Sequence, residues 1–325
     1  MAMPSSSLEL LPSVQRSEIP EVPQIQARPF VKWVGGKTQL IPQLDSVLPK
    51  RIKSGTIKTY IEPFVGGGAL FFHIAQTYHI ERFILADNNI DLILAYWTIR
   101  ERVGQVITAL HDLQTKYINL PEPKREEQYY NVRKLFNETK SHIDPAVFSQ
   151  SWVERTVQLI FLNKTCFNGL FRVNSAGQFN VAFGKYDNPK ICDADNLVQV
   201  SNILRRAQIM LCDFQGILSF VDENSFVYID PPYRPISTTA NFTAYSASTF
   251  TALDQQRLAN FCAAVSESGA NQLISNSDPA NHDPEDRFFE HNYPGFRIVR
   301  TSANRMINCK ADKRGKINEL MILNY

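Results

Sequence analysis

Apolar positions recur at two spacings along this chain, and the alternation between them outlines the fold. Leu40, Ile41, Leu44 and Leu48 share a helical spacing that stops at Pro49, so a helix is expected over Thr38 to Leu48. Thr59-Tyr60-Ile61-Glu62 then reads as a strand, leading through a glycine turn into a helix over Ala69 to Ala75. Arg82 to Asp87 is a second strand, ending at Asn88-Asn89. From about Ile90 to Phe161 the pattern is helical, with Leu92, Ile93, Tyr96 and Ile99 on one face. Asn163 to Tyr186 is rich in Asn, Gly, Phe and Arg and shows little periodicity. Strand-like runs resume at 208–212 and 226–230, followed by a helix over Leu253 to Ser266. Further strands are expected at 272–276, 296–299 and 319–323.

A strand, glycine turn, helix and strand ending in an acid open a nucleotide-type α/β sheet. The expected fold is a Rossmann-like, mostly parallel sheet with helices on both faces and a helical insert in the middle. The expected organisation is a disordered tail over 1–27, rich in Ser, Pro, Gln and Glu, a sheet domain over 28–96 and 193–325, and an inserted domain over 97–192.

Composition adds little to this. Hydrophobic residues make up 44% and charged residues 20%, ordinary for a soluble globular chain, and the net charge of +2 argues neither for nor against a polyanionic partner. The five cysteines are scattered without a C-x-x-C pair, which points to reduced thiols in the cytoplasm and to no zinc site. No apolar run is long enough to span a bilayer, so no membrane association is expected.

The chemistry concentrates at strand ends. Asp230-Pro231-Pro232-Tyr233 directly follows the apolar run Phe226 to Ile229, where ligands bind in open α/β sheets. A purine's exocyclic amine is a poor nucleophile because its lone pair is delocalised. The Asp230 carboxylate and the Pro231 carbonyl are two fixed acceptors able to draw such a nitrogen toward tetrahedral geometry. The two prolines stiffen the backbone, and Tyr233 offers a flat face for an extruded base.

Upstream, the three glycines of Glu62-Pro63-Phe64-Val65-Gly66-Gly67-Gly68 let the backbone pass close to a ligand, and Glu62, Pro63, Phe64, Gly66 and Gly68 are candidate cofactor contacts. The run is no dinucleotide fingerprint, because Phe71 stands where the last glycine belongs. Gly36-Lys37-Thr38 lacks a P-loop's first glycine, because position 31 is Val. Asp87 is placed to take both ribose hydroxyls of an adenosine; the plainer alternative is a helix N-cap before Ile90.

Lys32 to Lys37, Glu62 to Gly68, Asp87 and Asp230 to Tyr233 together resemble the Dam-type, D12-class adenine-N6 DNA methyltransferases, as do the blocks Phe167 to Arg172, Gly177 to Tyr186 and Ala240 to Tyr245. The likeness runs from about Phe30 to Tyr325. It implies methyl transfer from S-adenosylmethionine to adenine N6 in duplex DNA, with base flipping and GATC as the target. It implies that Trp33, Lys37, Asp87 and Asp230 bind the cofactor and that Lys32, Phe167, Asn168, Leu170, Arg172 and Tyr186 bind DNA. Lys32 and Tyr186 would read the first guanine pair, Phe167 would wedge into the vacated stack, and Leu170 would meet the thymine methyl. Arg172 would read the guanine beyond the adenine, a task its guanidinium also suits independently, since it can bond guanine O6 and N7 together. The chain departs from close relatives in Ala182, where proline is usual, and in Lys185, where some carry arginine. By the same likeness the target-recognition domain is the insert over 97–192.

Double-stranded DNA, a monomer and a cytoplasmic, nucleoid-associated location are expected, with a cognate restriction endonuclease left open as a partner. Two rival readings also stand. One is a methyltransferase for a glutamine amide or an RNA base, which more often shows Asn where Asp230 stands. The other is a non-catalytic DNA-binding protein, which has no use for Asp230, Tyr233 and Lys37. The segment Arg300 to Lys316, with six basic residues, reads equally as a solvated loop or a phosphate-contacting one.

Overall fold

The computed structural model describes residues 26–234, 250–304 and 316–325. The tail over 1–25, the block Ala240 to Tyr245, and Arg305, Lys310, Lys313 and Arg314 of the basic segment lie outside the described residues. Order begins earlier than the sequence suggests: Ala27, expected in the tail, is buried, and its N–H and C=O both bond the Gln76 side chain.

In chain order the elements are α1 (Ile41–Val47), α2 (Lys50–Lys53), β1 (Thr59–Glu62), α3 (Ala69–Thr77), β2 (Arg82–Asp87), α4 (Ile90–Ile118), α5 (Glu122–Glu138), α6 (Gln150–Thr165), α7 (Ala194–Leu204), β3 (Ala207–Leu211), β4 (Ser225–Ile229), α8 (Ala252–Glu267), β5 (Asn271–Ser277), α9 (Phe288–Asn292), β6 (Arg297–Asn304) and β7 (Lys316–Leu323). The helix expected from Thr38 opens as a 3-10 turn over Thr38–Leu40 and becomes α-helical only at Ile41. Pro42 explains the late start, because a residue without an N–H fits the first helical turn.

Among the described residues, seven strands form one sheet in the order β3-β2-β1-β4-β5-β7-β6, with β7 antiparallel to both its neighbours and the first five strands of that order parallel. Strand side chains alternate between two cores. Tyr60, Phe83, Leu85, Phe226, Tyr228 and Leu273 pack under the helices α1, α3, α4, α6 and α7. Ile61, Ile84, Ala86, Val227, Ile229 and Ile274 pack under α8 and α9. The strands are apolar on both faces because both faces are covered. The order of winding reverses between the parallel strands β1 and β4, with β2 and β3 added outward from β1 on one side and β5 from β4 on the other, which opens the crevice where such sheets hold ligands.

The boundary expected at Trp97 falls inside α4. Trp97 Nε1 donates to the Ile209 carbonyl and Arg100 to the Ala207 carbonyl, so both residues stay tied to β3. The helix leaves regular geometry only at Arg102. Beyond it, Val106, Leu110, Tyr129, Phe136 and Phe161 join the same hydrophobic cluster as the sheet residues, so packing is continuous into the helical middle of the chain. The basic segment does not start as a loop either: Arg300 lies in β6 and pairs with Asp278 and Glu290, each at 3.0 Å. Among the described residues, no helix is long and apolar enough to cross a membrane.

α4, α5 and α6 meet at a buried ion pair. Arg155 Nε donates to Asp91 at 2.6 Å, Arg155 Nη1 donates to the Phe136 carbonyl at 2.7 Å, and the guanidinium lies over the Phe136 ring. The two side chains are 2% and 4% exposed. Arg155→Met strands the Asp91 carboxylate in an apolar interior and should cost about 3–5 kcal/mol of folding free energy. Urea denaturation of both proteins measures it, and a loss below about 1 kcal/mol would show that the pair contributes only packing.

Candidate functional site

Three carboxylates end three neighbouring strands. Glu62 closes β1, Asp87 closes β2, and Asp230 follows β4, so all three line the crevice at the switch point. The turn after β1 runs tight against them. Gly66 N–H donates to Asp87 Oδ2 at 3.1 Å, and Asn89 N–H donates to Asp87 Oδ1 at 2.9 Å. Asp87 is therefore not the N-cap of α4; Asn89 is, accepting from Leu92 N–H. Each Asp87 oxygen keeps acceptor capacity, since a carboxylate offers about four lone-pair sites.

Gly66 and Gly68 have φ of +47° and +68°, and a Cβ on either would come within 2.8 Å of the Trp33 ring or 2.7 Å of the Tyr96 hydroxyl. Tyr96 donates to the Gly66 carbonyl, closing the turn from beneath. Phe64 stacks on Phe214, and Pro63 is buried. Glu62 is enclosed at 2% exposure and accepts from the Tyr60 hydroxyl at 2.9 Å. Burial, with Asp230 and Asp87 nearby, pushes its carboxyl well above the usual range despite that bond.

Lys37, 4% exposed, pairs with Asp230 Oδ1 at 2.9 Å and donates to the Gly35 carbonyl at 2.6 Å. Its ammonium also lies 4.6 Å from the centre of the Tyr233 ring. The Tyr233 hydroxyl donates to Glu319 on β7 at 2.9 Å, so the ring is held at its tip and over one face. Gln255 of α8 donates to the Pro232 carbonyl. Burial raises Asp230 to about 6, with Lys37 pulling the other way. Burial likewise raises Asp87 to about 6, opposed by backbone N–H groups. At neutral pH both are carboxylates, hence acceptors.

The six residues expected at DNA lie together on a second surface. Residues 166–174 and 178–186 form a two-armed ribbon, joined by the isolated bridges Cys166–Phe183 and Val173–Phe179. Phe171, Val173, Phe179, Val181 and Phe183 point inward, whereas Arg172, Asn180, Ala182 and Tyr186 lie on the other face. Period-two alternation is present in the sequence here, hidden by the surrounding Asn and Gly. Phe167 is 55% exposed, and Asn168 takes a left-handed φ of 57°. Arg172 Nε donates to Asn180 Oδ1 at 2.8 Å, leaving the outer end of the guanidinium, where Nη1 lies, clear of that bond.

The two surfaces join through residues 32 and 33. Trp33 lies against the glycine turn and stacks on Phe171 at 5.0 Å, whereas Lys32 reaches toward the Tyr186 ring at 5.9 Å. Asn163 of α6 fixes both: its Oδ1 accepts Lys32 N–H, and its Nδ2 donates to the Lys32 and Gly169 carbonyls. Asn163, Tyr96 and Glu319 escape sequence reading, because a polar residue within an apolar run shows no partner until the chain is folded.

The chain matches the family model for D12 class N6 adenine-specific DNA methyltransferase over residues 33–307. It is 46% identical over 302 residues to the type II methyltransferase M.MjaIII of Methanocaldococcus jannaschii, covering 93% of this chain and 100% of that protein. It is 34% identical over 304 residues to the type II methyltransferase M1.LlaDCHI of Lactococcus lactis, covering 93% and 97%. It is 33% identical over 296 residues to the DNA adenine methylase of Escherichia coli, covering 91% and 95%.

Lys37 is the charge that restrains Asp230. In Lys37→Met, carbon-13 titration of the Asp230 carboxyl should therefore show a midpoint above that of the wild-type protein. An unchanged or lower midpoint would mean that the ion pair does not govern Asp230.

Proposed function

The chain belongs to the D12 class N6 adenine-specific DNA methyltransferase family, and from that premise we propose that it methylates adenine within GATC, using S-adenosylmethionine and a flipped base. The observation that carries this reading is the placement of Asp230 and Tyr233 beside the glycine turn and Asp87, in the crevice between β1 and β4.

The donor set suits S-adenosylmethionine. Gly66 and Gly68 make a cradle that a Cβ would fill, and Asp87 has acceptor capacity for ribose hydroxyls. Trp33, Lys37, Glu62, Pro63, Phe64, Gly66, Gly68, Asp87 and Asp230 are the residues assigned to it. The donor supplies an electrophilic methyl group on a sulfonium. The protein's own work is on the amine. Asp230, ionised above about pH 6, accepts an amine N–H, and the Pro231 carbonyl accepts the other. Together they draw the nitrogen out of conjugation. Tyr233, held by Lys37 and Glu319, offers a fixed face against which the purine stacks.

Exposed Phe167 is suited to fill the gap left in the DNA stack, which offsets part of an unstacking cost of a few kcal/mol. Lys32 and Tyr186 are assigned to the first guanine pair, Leu170 to the thymine methyl, Arg172 to the distal guanine, and Asn168 to a further DNA contact. Asn180 bonds the Arg172 Nε and so steadies a guanidinium whose outer end is suited to guanine O6 and N7. The recognition module is assigned to the helical middle of the chain, with the ribbon as its reading surface. A soluble, DNA-associated monomer fits this reading.

The test uses labelled methyl donor, a GATC duplex and a duplex with the distal guanine changed, at two salt concentrations. Wild type should yield N6-methyladenine and prefer GATC. Arg172→Ala should shrink that preference roughly 5- to 150-fold, the range of one bidentate base contact. An equal loss on both duplexes assigns Arg172 to the phosphate backbone, and absence of N6-methyladenine with wild type overturns the reading.

A further inference from the structure

The outer edge of the ribbon is bonded to a helix instead of a strand. Along residues 177–182, carbonyls alternate between two directions. Those of Gln178, Asn180 and Ala182 face the other arm, accepting from Asn174 N–H, the Arg172 guanidinium and Phe167 N–H. Those of Gly177, Phe179 and Val181 face α5 and its C-terminal extension. Lys140 donates to Gly177 at 2.9 Å, Asn137 to Phe179 at 3.1 Å, and Arg133 and Tyr129 to Val181 at 3.0 and 2.8 Å. Asn137 also accepts Phe179 N–H at 2.8 Å, so it bonds that residue in both directions, as a neighbouring strand would. Arg125 closes the series on the Asp187 carbonyl.

Residues 125, 129, 133 and 137 are each four apart. That repeat is about 6 Å along a helix, close to the roughly 6.6 Å between alternate residues of a strand. One helical face can therefore meet every second carbonyl of an extended edge.

We propose that this α5 ladder, centred on Asn137, positions the ribbon for base discrimination and makes Asn137 a specificity-determining positioning residue. The inference rests on the reading that the ribbon contacts DNA. The ladder grips the backbone, whereas Arg172, assigned to a base, stands on the ribbon's exposed, even-numbered face. It touches none of the groups assigned to methyl transfer, which belong to residues 33–37 and to the ends of β1, β2 and β4. Loosening it should therefore alter which DNA is accepted while leaving the transfer step intact.

The test compares wild type, Asn137→Ala and Asn137→Asp. Asp keeps the acceptor for Phe179 N–H and loses the donor. The readouts are kcat and kcat/KM on the duplex that wild type prefers and on a one-base variant, melting temperature, and amide exchange at Phe179 to Phe183. Asn137→Ala should lower the discrimination ratio about tenfold, as expected for two lost hydrogen bonds. It should also speed ribbon exchange and leave kcat on the preferred duplex within about twofold. Asn137→Asp should fall between. A lowered melting temperature with kcat reduced equally on both duplexes overturns the proposal in favour of a general structural role. Unchanged exchange with an unchanged ratio overturns the ladder itself. Faster exchange with an unchanged ratio overturns the proposal through its premise, by showing that the ribbon does not read bases.

Discussion

One buried carboxamide holds the segment on which both working surfaces depend. Asn163 bonds the backbone of Lys32 on both its N–H and its C=O and ties the same segment to Gly169. In low-dielectric surroundings such a bond set is strong when satisfied and costly when broken, so the chain has one place to lie. From that anchor, consecutive side chains part company. Trp33 covers the glycine turn, Lys32 reaches toward Tyr186, and Lys37 arrives at Asp230. The Trp33–Phe171 stack brings the crevice and the ribbon into contact at one point.

The crevice itself is electrostatically costly. Glu62, Asp87 and Asp230 end adjacent strands, and burial raises all three carboxyls. A group whose folded pKa lies above its unfolded one adds stability at low pH and loses it as pH rises through the folded value. For Asp87 and Asp230 that loss runs from about pH 4 to about pH 6. The protein therefore holds two carboxylates at neutral pH at the expense of its own stability. Groups that must accept N–H and O–H bonds from a ligand have reason to be kept in that state. Lys37 offsets part of the cost at Asp230, and backbone N–H groups do so at Asp87.

Much of this was legible in the sequence. The strand–glycine–helix–strand–acid order located the crevice, and Asp230 to Tyr233 emerged at a strand end because a fully apolar run precedes them. What stayed hidden was of two kinds. The ribbon over 171–186 shows little periodicity in the sequence because glycines and asparagines dilute an alternation that is real at Phe179, Val181 and Phe183. The ladder on α5 was invisible because its side chains bond backbone carbonyls some 37 to 62 residues away, and a carbonyl has no letter in the sequence. Around Trp97 the helical pattern is unbroken for a related reason: the helix that enters the middle of the chain still hydrogen-bonds β3.

A single anchored segment, Lys32-Trp33, touches both the crevice and the ribbon, and on the proposed reading it sets the position of both. Asn163→Asp tests it most directly, because it keeps the volume and the acceptor for Lys32 N–H and removes both donated bonds. Calorimetric titration of the folded variant with S-adenosylmethionine, and separately with the preferred and one-base-changed duplexes, should show cofactor affinity and DNA discrimination falling together, each about tenfold. If one falls while the other stays at the wild-type value, the two surfaces are independent and the coupling through Lys32 and Trp33 is contradicted.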